Sequence, residues 1–229
     1  MKPSSSLSSR RKTRILVVDD HPLLREALVQ LLNRQQDLTC CGQAGTAADA
    51  VAAMHAHKPE LVLLDLRLGK SDGLELIKSF KAEYPGVAIL VVSQFDEALY
   101  AERALRAGAN GYLMKEEATE EVLIAIRTIL DGECYVSRKM AVLVLHKLLK
   151  QKPGAPGIGV ENLSNRELQV FQLLGSGSST RQVAEALHLS VKTIETYREN
   201  LKNKLHFRDG AELVRQARTW VQGSPPPAR

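Results

Sequence analysis

Five polar side chains fall where short apolar runs end. Asp19 and Asp20 follow residues 15–18, Asp65 follows 61–64, Ser93 follows 87–92 and Lys115 follows 111–114. Brought to one place, three carboxylates would repel one another strongly, and such a cluster persists only with a cation. A site rich in carboxylate oxygen suits Mg²⁺, which keeps several of its waters. A carboxylate beside that ion can accept a phosphoryl group. A lysine ammonium then balances the charge on the phosphoryl oxygens, and a serine hydroxyl can bond one of them. Taken singly, each residue has a plainer reading. The Asp pair ahead of Pro22 reads as a helix cap, Asp65 as loop solvation, Ser93 as a turn residue and Lys115 as a solvated charge. The chemistry rests on their joint placement.

That placement depends on a sheet. Residues 15–18 (ILVV) and 61–64 (LVLL) are continuous apolar runs, the mark of strands buried on both faces. Further strands are expected over 38–42, 87–92 and 111–114. Helical spacing is expected over 23–32, over 46–57 with Thr46 as cap and Asp49 in the first turn, over 73–84 up to Pro85-Gly86, over 96–107 and over 119–130. Five βα units in so short a span predict an α/β doubly wound five-stranded parallel sheet. In the order 2-1-3-4-5 the first and third strands are neighbours at the switch point, where ligands bind beyond the strand ends. Asp19, Asp20 and Asp65 would converge there.

Charge divides the chain. Residues 13–149 carry 15 basic and 19 acidic side chains, whereas 160–229 carry 10 and 7. An acidic front and a basic back imply different partners, the back one a polyanion. No apolar run approaches the ~20 residues of a membrane helix. The Ser-rich, basic residues 1–12 lack the apolar core of a secretory signal and read as a disordered leader. Cys40, Cys41 and Cys134 have no metal-type spacing and read as reduced packing thiols. A cytoplasmic protein is expected. One more amphipathic helix is expected over 137–150. Two prolines and three glycines within 151–159 then make a linker. The expected organisation is a leader over 1–12, a first domain over 13–133, a linker helix and flexible linker over 134–162, an all-α domain over 163–222 and a disordered tail over 223–229.

The all-α part opens with Ser164 and Glu167 in Ser-x-x-Glu order, a capping box. A helix to about Leu174, a Gly/Ser turn, a short helix over 181–187 capped by Thr180, a longer helix over 191–205 and a final helix to Val221 capped by Asp209 follow. Ile194, Leu201 and Leu205 give the longer helix an apolar stripe opposite a polar face. A short helix, tight turn and longer polar-faced helix form a helix-turn-helix, whose second helix enters the major groove. Plain solvation of the polar face is the alternative.

Residues 15–20 (ILVVDD), 63–73 (LLDLRLGKSDG), 91–93 (VVS) and 108–115 (GANGYLMK) resemble the receiver domain of two-component response regulators. Residues 163–174 and 177–205 resemble the LuxR-type helix-turn-helix. Together they resemble the NarL/FixJ family of transcription regulators. The resemblance implies Asp65 as phospho-acceptor from a phosphohistidine of a sensor histidine kinase. It implies Asp19, Asp20, Asp65 and the Arg67 main-chain carbonyl as Mg²⁺ ligands, Ser93 and Lys115 as phosphate partners, and Ser93 with Tyr112 as the switch, Tyr112 turning inward on phosphorylation. Lys192, Thr193, Tyr197, Asn200 and Lys202 lie where DNA phosphates are gripped. Glu195, Thr196, Arg198 and Glu199 lie where base edges are read, although Glu195 could instead pair with Arg198 or Lys202, and Glu199 with Lys202. The resemblance also implies a homodimer on double-stranded promoter DNA when phosphorylated, with Leu213, Val214, Ala217 and Val221 of the final helix as its surface; core packing is the alternative for these four. Leu68-Gly69 and Glu116 depart from the family's usual prolines.

Two rivals remain. An aspartyl-phosphate phosphohydrolase would want an acid two residues after the nucleophile, where Arg67 stands. A DNA binder with a degenerate receiver would not keep the full acidic set.

Overall fold

The computed structural model describes residues 11–69, 71–95, 97–117, 119–138, 140–142, 159–160 and 163–222. Residues 1–10 of the expected leader, 151–158 of the expected linker, most of the helix over 137–150 and the tail over 223–229 lie outside the described residues. The chain divides into two units, Met1–Lys150 and Gln151–Arg229.

The first unit is an all-parallel sheet whose strands lie in the order 38–44, 13–18, 61–64, 88–93 and 111–114. Its strands are β1 (Thr13–Val18), β2 (Leu38–Ala44), β3 (Leu61–Leu64), β6 (Ala88–Ser93) and β7 (Gly111–Met114). Helices α1 (Pro22–Asn33), α2 (Ala47–His57), α3 (Gly73–Glu83), α4 (Glu97–Ala107) and α5 (Thr119–Leu130) connect them. This is the expected doubly wound fold. Ile15, Val17, Leu63, Leu90 and Leu113 pack with Leu28, Leu32, Ile126 and Ile129 of α1 and α5. The alternate set Leu16, Val62, Leu64, Ile89 and Val91 is equally buried, so both faces are covered, and continuous apolar strands are the result. The expected cap is present on α2, where Thr46 accepts from Asp49 N.

Three features were not expected. A two-residue hairpin, β4 (Arg67–Leu68) with β5 (Ser71–Asp72), interrupts the path from β3 to α3. Asp72 caps α3 by accepting from Leu74 N, and a Cβ on Gly73 would stand 2.6 Å from Leu66 Cα. Only glycine lets the head of α3 lie against the backbone following Asp65. Next, Tyr135 lies beside β7 as an isolated parallel bridge to Gly111, with Tyr112 N on Tyr135 O at 2.8 Å and Tyr135 N on Asn110 O at 3.1 Å. A Cβ on Gly111 would strike Tyr135 O at 2.7 Å. Finally, the buried Glu97 carboxylate receives the Ser137 N–H at 2.8 Å and the Ser137 hydroxyl. Ser137 Oγ in turn accepts from Met140 N, heading the helical residues Arg138 and 140–142.

The second unit is helical: α6 (Asn165–Gly175), α7 (Thr180–Ala186), α8 (Val191–Leu205) and α9 (Gly210–Val221). The Ser164–Glu167 capping box is present, and Asp209 caps α9. Thr180 is the first residue of α7 and not its cap. Ser179 takes that place through a second capping box with Gln182, so the Ser-x-x-Gln spacing decided the boundary. Phe171, Leu174, Val183, Ile194, Leu201, Leu213 and Ala217 form the core, with Trp220 tilted on Phe171 at 5.6 Å. Leu213 and Ala217, expected on a dimer surface, are each 0% exposed. Ala217 packs against α6 at Gly175, so these two serve the core. Val214 is half-buried, and Val221 is exposed.

Glu167 links the caps to the longer helix. Its carboxylate holds Ser164 N at 2.8 Å and Lys204 Nζ of α8 at 2.8 Å. Burial raises its pKa, but the bonds from Lys204 and Ser164 outweigh it and bring it below the ordinary 4.5. A depressed carboxylate contributes stability that is complete above its unfolded pKa and lost as pH falls through the folded one. Melting followed by Trp220, the one tryptophan of the chain, is expected to show Glu167→Gln less stable by about 1 kcal/mol at pH 7. The gap should close between pH 4.5 and the lower folded value. Parallel curves for the two proteins over that range would remove the ion pair from the account.

Candidate functional site

The sheet brings the five polar residues together at its carboxyl edge. Asp19 N bonds Ala44 O at 3.1 Å and Asp65 N bonds Val18 O at 2.8 Å, so the strand ladders extend one residue to carry both aspartates. Asp19 and Asp65 are each 2% exposed. Lys115, delivered by β7, donates to Asp19 Oδ2 at 2.6 Å and to Asp65 Oδ2 at 2.7 Å. Its amide bonds Ser93 O at 2.9 Å, which fixes the two strand ends together. Asp65 Oδ1 accepts from Arg67 N at 3.1 Å, and Asp20 Oδ2 from Gly69 N at 3.2 Å. The hairpin thus places Arg67 on the pocket rim. Burial, with a smaller contribution from Asp19, pushes the Asp65 carboxyl above its ordinary value against the pull of Lys115 and the Arg67 amide.

His21 was not singled out by the sequence reading. It holds the N-cap position of α1, yet its side chain caps nothing. Instead Nδ1 faces Asp19 Oδ1 at 3.1 Å and stands 2.8 Å from Asp20 Oδ1, while Nε2 meets Arg67 Nη2 at 2.9 Å. A guanidinium only donates, so Nε2 accepts from Arg67, while the Lys115 ammonium lies 3.4 Å from Nδ1. His21, Asp19, Asp20 and Asp65 bring ligand atoms within 4.8 Å of one another. Arg25, also missed, binds the Asp19 carbonyl at 2.6 Å. A non-capping residue at an N-cap and an Arg four positions on were the available signals.

The acid cluster passes a simple test for a divalent cation. Its carboxylates outnumber the single ammonium set among them, and the buried Asp20 Oδ1 has only the His21 ring nitrogen beside it. Oxygen donors without sulfur suit a hard ion.

Ser93 is fully buried, and its Oγ lies 3.4 Å from Phe95 N. Tyr112 is also 0% exposed and donates its hydroxyl to Phe95 O at 2.7 Å. Burial pushes its phenol far above the ordinary range, so it stays a donor. The expected inward turn on phosphorylation meets a ring that is already inside.

In the second unit, Lys192, Glu195, Thr196, Glu199 and Asn200 are exposed on α8, and Thr193, Tyr197 and Lys202 are partly so. Glu199 pairs with Lys202 at 2.8 Å, one of the two alternatives left open for it. Thr196 Oγ1 bonds the Lys192 carbonyl at 3.1 Å. Arg198 departs from expectation: its guanidinium turns to Thr180 Oγ1 at 2.6 Å.

Comparison with known proteins agrees on both units. The family described as response regulator receiver domain matches residues 15–127, and that described as bacterial regulatory proteins, luxR family, matches 161–217. The oxygen regulatory protein NreC of Staphylococcus aureus (strain MRSA252) is 31% identical over 208 residues, covering 89% of this chain and 96% of that protein. The chain belongs to the NarL/FixJ family of two-component response regulators. Among solved members of this response-regulator class, a LuxR-family regulator from Aurantimonas sp. SI85-9A1 is 28% identical with a TM-score of 0.57, over 61% of this chain and all of that one. RcsB of Salmonella enterica serovar Typhimurium, 20% identical with a TM-score of 0.55 over 90% of this chain and 98% of that one, shares the fold. NarL/FixJ response regulators are transcription regulators and not metabolic enzymes. In this one, Arg67 occupies the position where a phosphohydrolase would keep its second acid. Among the described residues no helix is long and apolar enough to cross a membrane.

Proposed function

We propose that this response regulator is phosphorylated on Asp65 by a sensor histidine kinase and then binds double-stranded promoter DNA as a homodimer. The observation that carries the proposal is the buried Lys115 ammonium bridging Asp19 and Asp65 beside the Asp20 carboxylate. Asp19, Asp20, Asp65 and the Arg67 main-chain carbonyl would hold Mg²⁺, which supplies neutralising charge to the transferring phosphoryl group. The Asp65 carboxylate attacks phosphorus in line, a P–O bond forms and the P–N bond to the kinase histidine breaks. Lys115 remains against the new phosphoryl oxygens. Ser93 turns its hydroxyl to one of them and gives up its long contact with Phe95 N. Phe95 also carries the anchor of Tyr112, so the loop and the buried ring are one packing element with two arrangements. Arg67 and Gln94 flank the site and set how fast the phosphate is lost.

We place the receiver at 13–133 and the DNA-binding domain at 163–222, joined by 134–162, in the cytoplasm. Lys192, Thr193, Tyr197, Asn200 and Lys202 grip phosphates, and Glu195, Thr196 and Glu199 face base edges. Glu accepts from cytosine N4. The partly or fully exposed Val214 and Val221 are what remains of the proposed dimer face. In support, the solved RcsB above is bound to promoter rprA in the presence of phosphomimetic BeF₃⁻.

Genome-wide DNA capture with and without acetyl phosphate tests this reading. A set of sites enriched only with the donor is expected. Equal capture in both conditions would leave the receiver without control of DNA binding and overturn it.

A further inference from the structure

Arg198 sits within the helix that faces DNA, but its own place on that helix points inward. Ile194, Leu201 and Leu205 are 0%, 0% and 7% exposed. Arg198 falls between them at steps of four and three residues, on the same stripe. The outward residues Lys192, Glu195, Thr196 and Glu199 occupy the other side and are exposed.

The guanidinium has a definite environment. Nη1 donates to Thr180 Oγ1 at 2.6 Å, a short bond to the first residue of α7. Nη2 lies 3.2 Å from the position a Cβ on Gly210 would take, at the first residue of α9. One side chain of α8 therefore meets the heads of both α7 and α9. To reach a base edge it would have to break the charge-assisted bond and vacate the gap between these heads. We propose that Arg198 is a positioning residue which fixes the pose of α8 against α7 and α9, and that sequence discrimination is carried without it, by Glu195, Thr196 and Glu199. The inference rests on the reading of α8 as the DNA-facing helix and goes beyond it. An arginine suits the place because its stem covers apolar surface while its planar fork reaches a hydroxyl on a neighbouring helix.

The test uses the full chain with acetyl phosphate and a randomised duplex pool. Arg198→Met keeps the stem and removes the fork. It should select the same sequence as the parent, with unchanged preference at every position. Affinity for the selected duplex and for an unrelated duplex should fall by the same factor, about 3- to 10-fold, the scale of one hydrogen bond. Thr180→Val should behave alike, and the double variant should lose no more than either single one. Melting followed by Trp220 should show the same coupling. Loss of preference for a single G·C pair in Arg198→Met, with unrelated DNA bound as before, would overturn the proposal, because that is how a base-reading arginine behaves. Should the parent select no sequence, the reading of α8 fails by itself. The brace is then judged by melting alone: coupled losses keep it and additive losses overturn it.

Discussion

A chain carrying Asp65→Asn is expected to take up no phosphate from acetyl phosphate, and its DNA binding should no longer respond to the donor. Asn has the shape of Asp65 but no anionic oxygen to attack phosphorus, and no neighbour can replace it. Asp19 is held by Lys115, by the His21 amide and by the His21 ring, and Asp20 is tied to Gly69 N. Intact-mass measurement after incubation gives the result directly, and equal uptake by the variant would overturn the site. The same variant should be more stable than the parent. Two buried carboxylates share the Lys115 ammonium, and Asp65 is held above its ordinary 3.8 by burial first. A raised carboxylate leaves the folded state holding the proton longer. Stability therefore declines as pH rises from 3.8 through the folded value. Asn removes that penalty, a gain of about 1–2 kcal/mol at pH 7. Thermal melts at pH 7 that show a loss instead would mean that the Lys115 bond to Asp65 outweighs its burial.

Lys115→Met has the opposite sign. It removes the cation between two carboxylates that are 2% exposed. Breaking a buried pair by deleting one partner costs about 3–5 kcal/mol, because the remaining charge is left uncompensated. Urea unfolding in the presence of a chelator should show this loss. Added Mg²⁺ should restore part of it, since a cation bound only by the folded state stabilises by mass action. Phosphate uptake should still fall, by about 10²-fold, for lack of the charge that faces the phosphoryl oxygens. A variant as stable as the parent under chelation would show that Lys115 is dispensable to the pocket.

The periodic elements were legible because the driving force was written in runs. LVLL and ILVV can only be strands covered on both faces, and once strands one and three are neighbours, Asp19 and Asp65 must meet. Caps written as Ser-x-x-Glu or Thr-x-x-Asp were equally readable. What escaped detection depended on side chains crossing between distant elements. Nothing local in Glu97 or Ser137 announces a bond over 40 positions, and Arg25 on Asp19 O is a matter of reach from α1. Leu213 and Ala217 carry the apolar periodicity of a helix face without saying whether core or partner covers it, and the core took them. Arg198 hid because charge was read before phase: its position on the 194–201–205 stripe was the available warning.

The strand-like pairing of Tyr135 with Gly111 has a bearing on solubility. An open sheet ends in rows of unused amides and carbonyls that can template foreign strands. On the β7 side, the Tyr112 amide and the Asn110 carbonyl are already taken by the chain itself. On the β2 side, the register with β1 slips between Ile15 and Leu16, an irregularity that bends an edge away from flat stacking. Both flanks are thereby made poor seeds for fibrous growth, without a single charged residue being set aside for the purpose.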